Sequence, residues 1–343
     1  MYKRQVKPVF SVGSIGSAQT ICINTTPALL TSTSPSGGMG VYSYYWENSL
    51  NGTDFNVISG ATSETYQPGI LSQTTYYRRH VNDASCGGGY TNIIQIIVRS
   101  SVTIGTIGAD QTICYNSSPS LLTTTLPASG GSNSFTYTWE SSIDNSNWNN
   151  ISGANGTSYQ PVVLTAKTYY RKSVTDLCGS GYTIAVTIAL RPDVNVGTIG
   201  AGQTICYNAI PSLLTTDVAP TGGTGTFTWL WESSPNNSVW SPISGATNES
   251  FQPASLTSTT YYQRKVINPC ISSYTNTVVV TVRPDLIAGA ISNSQTICYN
   301  TAPALLVTSS LPTGGTGSFT YQWQNSVNTV SYTHLTLPTN REV

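Results

Sequence analysis

Four copies of Gln-Thr-Ile-Cys recur at one constant interval, at residues 19–22, 111–114, 203–206 and 295–298. A second cysteine follows the first at another constant interval in three of them: Cys86 after Cys22, Cys178 after Cys114, and Cys270 after Cys206. So regular a ruler over 343 residues implies tandem copies of one folding unit. It divides the chain into repeats at 9–99, 100–191 and 192–283, with a truncated fourth at 284–329. The junctions Arg191-Pro-Asp193 and Arg283-Pro-Asp285 are short, and their prolines limit rotation.

Each repeat contains one strand with aromatics at alternate positions. These are Tyr42-Ser-Tyr-Tyr-Trp46, Phe135-Thr-Tyr-Thr-Trp139, Phe227-Thr-Trp-Leu-Trp231 and Phe319-Thr-Tyr-Gln-Trp323. Period two places one face of a strand in a core, which predicts Trp46, Trp139, Trp231 and Trp323 as core aromatics. In the second repeat, turn clusters of Gly, Asn, Ser and Pro separate seven short predicted strands, at 106–114, 120–125, 135–141, 148–151, 158–161, 168–174 and 183–190. Helical periodicity is absent throughout. The expected fold is all-β, a row of two-sheet antiparallel sandwiches.

A module of about 90 residues has a marginal core. One cysteine pair per module reads as an internal staple: Cys22–Cys86, Cys114–Cys178 and Cys206–Cys270, with Cys298 odd. Two alternatives stay open. Adjacent modules can be joined, for example Cys86 to Cys114 with Cys22 left single, or all the cysteines can be reduced. One geometric objection weighs against the internal pairing: if the first cysteine ends strand one and the second enters the last turn, a sandwich sets them at opposite poles. Disulfides in any arrangement point outside the cytosol.

Net charge is zero and charged residues make up only 8% of the chain. Without a Lys/Arg cluster there is no electrostatic footprint for nucleic acid or an anionic membrane. No apolar run is long enough for membrane insertion. Both ends look technical. Met1-Tyr-Lys-Arg-Gln5 and Val330-Ser-Tyr-Thr-His-Leu-Thr-Leu-Pro-Thr339 back-translate into opposite strands of a transposase adapter used for sequencing libraries. Residues 1–5 and 330–343 are therefore expected to be artefact, and the natural chain to be a piece of a longer frame.

The recurring pattern is Gln-Thr-Ile-Cys-Tyr-Asn, then Leu-Leu, Gly-Gly-Thr-Gly and Tyr-x-Trp-Glu-Ser-Ser. Trp-x-x-Ile-Ser-Gly-Ala-Thr, Tyr-Gln-Pro and Thr-Thr-Tyr-Tyr-Arg-Arg-x-Val complete it. It resembles the PKD-like and immunoglobulin-like repeats of very large secreted proteins of gliding Bacteroidota, many of which carry a sorting domain for type IX secretion. The resemblance implies an Ig-like or PKD-like sandwich, an extracellular or cell-surface location, and a stalk or adhesin segment. It brings no catalytic residues and no cofactor.

Candidate chemistry is thin. His80 has Ser173 and Lys265 as counterparts and is expected to be exposed and inert. Glu47, Glu140 and Glu232 are expected on a solvated sheet face. Asp144-Asn-Ser-Asn147 resembles the start of a calcium loop, but its counterparts lose the ligand oxygens. Of the paired tyrosines 76–77, 169–170 and 261–262, one of each pair should pack inward. Phe55, Trp148 and Trp240 are the weak ligand-binding candidates, since an exposed aromatic can stack on a sugar. The competing expectation packs them across the hairpin onto the core Trp. The function expected is a non-catalytic structural or adhesive array, with cell-surface glycans or surface proteins as partners. The alternative is a carbohydrate-binding array attached to a polysaccharide-degrading enzyme.

Overall fold

The computed structural model describes residues 6–292 and 294–326, so the expected artefact segments 1–5 and 330–343 lie outside the described residues. Two compact units divide at Pro192, one ending there and the other starting at Asp193. The first unit holds two modules. Module one comprises β1 (Gln19–Cys22), β2 (Tyr42–Ser49), β3 (Asn56–Val57), β4 (Thr75–Asp83), β5 (Gly87–Tyr90) and β6 (Ile94–Arg99). Module two comprises β7 (Thr106–Ile107), β8 (Gln111–Ile113), β9 (Thr124–Leu126), β10 (Thr136–Ser142), β11 (Asn149–Asn150), β12 (Thr168–Asp176), β13 (Gly179–Tyr182) and β14 (Val186–Leu190).

The second unit repeats the design as β15 (Thr198–Ile199), β16 (Gln203–Ile205), β17 (Thr216–Val218), β18 (Thr228–Ser234), β19 (Ser241–Pro242), β20 (Thr260–Asn268), β21 (Ile271–Tyr274) and β22 (Val278–Val282). It also contains β23 (Ala290–Ser292) and β24 (Val307–Ser310) of the fourth repeat. The described residues form no helix. The protein is all-β.

The large sheet of module one runs β1-β6-β4-β2-β3, with β5 added to β4. Its pairs are antiparallel except β1 with β6, which run parallel from Gln19↔Ile96 to Cys22↔Arg99. Facing it is a sparse second layer. In module one this layer consists of bridges such as Ile15↔Ser32 and Leu30↔Tyr66, and in module two of β7 with β9. The two layers make a sandwich.

The expected strand at 106–114 is divided. β7 pairs with β9 in one layer, whereas β8 pairs with β14 in the other. Gly108-Ala-Asp110 is the switch between layers, and it is invisible to a periodicity count. β13, Gly-Ser-Gly-Tyr, escapes the same count because it has no apolar alternation.

Trp46, Trp139 and Trp231 are fully buried, each at the centre of its module's core. Their indole N–H groups donate to Ser63, Gly156 and Asn248 carbonyls at 2.9–3.0 Å, which satisfies the one polar atom each carries inward. Trp323 differs: it is 64% exposed. In modules one to three the covering strand places Arg79, Lys172 or Arg264 opposite the Trp. Among the described residues, 318–326 form no strand, so Trp323 has no paired sheet to bury it as the other three do. Tyr77, Tyr170 and Tyr262 pack inward, and their partners Tyr76, Tyr169 and Tyr261 are half-buried, as the alternation of β4, β12 and β20 requires.

Candidate functional site

Topology sends the two cysteines of one module to opposite poles. Cys22 ends β1 level with Arg99, where the chain leaves module one. Cys86 lies in the turn joining β4 to β5. There the chain enters: the Gly38 N–H donates to the Pro8 carbonyl, and the Met39 N–H to Asp83. β4 alone covers nine residues between these poles, about 26 Å of strand. A disulfide needs Cα atoms roughly 4.4–6.8 Å apart.

The internal pairings therefore fail, since Cys178 is taken by Cys22, and Cys86 and Cys206 are free; of the alternative, the join between adjacent modules holds, but it runs through Cys22 and not through Cys86. Cys22 is bonded to Cys178, with a Cα–Cα distance of 5.3 Å and a sequence separation of 156. The exit pole of module one is stapled to the entry pole of module two. Cys114 and Cys270 are also disulfide-bonded, so neither is reduced. Cys86, Cys206 and Cys298 are exposed free thiols.

The entry-pole turn is held by one acidic or amide side chain. Asp176 accepts from the backbone N–H groups of Ser132 (3.0 Å) and Cys178 (2.8 Å), and from the Ser132 hydroxyl. These bonds, the hydroxyl first, hold its pKa down at about 2. Asp83 does the same work for Met39, Ser85 and Cys86, and Asn268 for Cys270. Desolvation, together with the neighbouring Asp83, pushes the Cys86 thiol up.

The weak binding candidates are half-buried, and each of the first two stacks on an arginine rather than on the core Trp. Trp148 lies on the outer sheet face with the Arg171 guanidinium 4.2 Å from its ring centre, and Tyr182 covers the other side at 3.8 Å. Phe55, Arg78 and Tyr90 make the same sandwich at 4.0 and 3.8 Å. In each, the Arg also grips a carboxylate directly across the sheet: Arg78 with Glu47, and Arg171 with Glu140, both at 2.6 Å. Module three has Gln263 in place of the Arg; its amide donates to Glu232 at 2.8 Å, and Trp240 is half-buried. Glu47, Glu140 and Glu232 are therefore not on a solvated face. They are 4%, 8% and 9% exposed, roofed by these side chains.

His80 is likewise not exposed. It stacks on Tyr45 (4.5 Å, 13°) and meets the edge of Tyr90, and burial lowers its pKa. Asp144 is consumed by its own turn: it accepts from the Ser146 and Asn147 N–H groups at 2.8 Å and from the Ser142 hydroxyl, so its pKa is held far below the ordinary carboxylate range. Asn51 and Asn236 cap the equivalent hairpin tips with a neutral oxygen. The Asp is a turn former, and the apparent calcium ligands are an Asx turn.

One set of side chains was passed over in the sequence reading. Arg79, Lys172 and Arg264 point inward, fully buried beside the core Trp. Arg79 reaches the opposing layer, donating to the Ser32 hydroxyl (2.7 Å) and to the carbonyls of Glu64 (2.9 Å), Val12 (3.2 Å) and Thr33 (3.2 Å). Arg264 repeats this at Thr216 and Glu249, and Lys172 at Thr124. Their acceptors are hydroxyls and carbonyls, and desolvation lowers the pKa of all three. Each cation ties the sparse layer to the large sheet. The signal lay in the alternation of Thr-Tyr-Tyr-Arg-Arg: if the second Tyr is inward, so is the second Arg.

The family described as a domain of unknown function, DUF8696, matches residues 11–100, 103–192, 195–284 and 287–342. No curated protein matches the chain in sequence. Three immunoglobulin domains of titin are similar in structure, with a TM-score of 0.45 and 11% identity, covering 81% of this chain and 99% of that one. The three N-terminal domains of the highly immunogenic outer capsid protein of bacteriophage RB49 give a TM-score of 0.38 and 12% identity, covering 80% and 99%. Extracellular domains 3–5 of Drosophila OTK give 0.30 and 11%, covering 79% and 97%.

Proposed function

Because the chain belongs to the DUF8696 family in successive copies, we propose that it is a non-catalytic extracellular array, a stalk or adhesin segment that bears load. The observation that carries this reading is the Cys22–Cys178 bridge. A disulfide at a junction joins neighbouring modules covalently and demands an oxidising compartment. Glu47, Glu140 and Glu232 are roofed, Asp144 is consumed by its own turn and His80 is stacked, so none of these described candidates is free for acid–base work, which favours a structural role. The similarity to repeats of secreted Bacteroidota surface proteins supports a bacterial cell surface and a type IX route.

Antibodies against module two should label intact cells that make the protein. Labelling only after permeabilisation would overturn the surface location. The carbohydrate-binding alternative needs aromatics free to stack on sugars, and Phe55 and Trp148 are already stacked on arginine. Affinity electrophoresis through polysaccharide gels tests the alternative, and failure to retard the chain across a broad panel would count against it.

A further inference from the structure

The bridge in the first unit divides the cysteines into two classes. Exit-pole cysteines end the strand that pairs parallel with the last strand of the module, and entry-pole cysteines sit in the hairpin turn capped by Asp or Asn. Cys22 is of the exit class and Cys178 of the entry class, and the bond between them joins unlike poles of successive modules. Three cysteines remain free and exposed.

Cys206 matches Cys22 in detail. It follows β16, as Cys22 ends β1, and the next residue but one is a left-handed Asn in both, Asn208 (φ 58°) and Asn24 (φ 59°). Cys298 closes the fourth Gln-Thr-Ile-Cys and has Asn300 at φ 64°, so its sequence and local turn put it in the exit class although 294–298 form no strand. Cys86 matches Cys178: its N–H is bound by Asp83 at 2.9 Å as that of Cys178 is by Asp176 at 2.8 Å, in a turn one residue longer. The free thiols are thus two of the exit class and one of the entry class.

We propose that the entry pole of the first module is a covalent docking site for another DUF8696 module, closed by a disulfide between Cys86 and an exit-class cysteine of that module. In a solution of this chain the occupant is a second copy presenting Cys206 or Cys298. The junction between modules one and two already shows this chemistry, with the same capped turn receiving the same class of cysteine. With oxidised glutathione as oxidant, the exit-class thiolate attacks it and releases one glutathione. Cys86 then attacks the protein sulfur of the mixed disulfide and releases the second. Two protein thiols are oxidised, one glutathione disulfide is reduced, and the two protons pass to the released glutathiones.

The test is to incubate the full chain with oxidised glutathione and map disulfide peptides without reduction. The expected result is covalent oligomers whose intermolecular peptides join Cys86 to Cys206 or Cys298, with the Cys22–Cys178 peptide unchanged. Cys86→Ser, at an exposed position, should reduce the oligomers at least tenfold while circular dichroism and the Cys22–Cys178 peptide persist. Monomer throughout would overturn the proposal. So would class-blind linkage, with Cys86–Cys86 or Cys206–Cys298 peptides as abundant as the unlike pairs.

Discussion

Load applied to the ends of this chain should bypass most of its first two modules. The Cys22–Cys178 bridge has a sequence separation of 156, which at about 3.6 Å per extended residue is roughly 560 Å of contour that cannot be drawn out while the bond holds. The measurement is single-molecule stretching of the full chain in a Cys114→Ser/Cys270→Ser background, with the free thiols alkylated, before and after reduction. The reduced chain should be longer by about 560 Å at full extension. A gain of only about 230 Å, the contour from Cys22 to Cys86, would be the signature of a bridge internal to module one and would refute the pole argument. No gain would refute the bridge. The same loop raises the free energy of the unfolded chain by up to about 5 kcal/mol on the chain-entropy estimate, so reduction should also lower the unfolding midpoint of the first unit.

The side-chain geometry makes three more demands. Trp139→Ala should cost about 3–5 kcal/mol in urea unfolding because it empties the core, whereas Trp148→Ala should cost only about 1 kcal/mol, the worth of a half-buried cation–π contact on the outer sheet face; equal costs would contradict their placement. Asp176 has its folded pKa depressed to about 2, so its stabilisation is present above the ordinary carboxylate value and is lost as pH falls through the folded one. The urea midpoint should therefore drop between about pH 4 and 2 in the native chain and drop less in Asp176→Asn, which adopts the residue module three already has at Asn268; parallel curves would exclude this assignment. Millimolar calcium should leave the melting temperature within about one degree of its value in chelator, since Asp144 is spent on its own turn; a clear rise would reopen the site.

The role of the second Arg or Lys of β4, β12 and β20 was recoverable from alternation alone, yet a buried cation whose hydrogen bonds go to hydroxyls and carbonyls is too costly to expect. It is tolerated because Arg79 finds four acceptors on the opposing layer. The Arg–aromatic stacks were out of reach for another reason. Phe55 and Tyr90 are distant in sequence and meet only because Arg78 stands between them on the same sheet face.

The chain by itself determines that it is all-β, that it repeats, and that a Trp in each complete repeat is buried. These are properties of local period and of a fixed interval, and both can be read without knowing how strands meet. The cysteine pairing could not be settled that way. When a unit recurs at a fixed interval, a link within a module and a link across a junction are equally regular along the chain. Only the tertiary structure distinguishes them, because pairing β1 parallel to the last strand carries Cys22 to the exit pole, a full strand length from Cys86 and within bonding distance of Cys178.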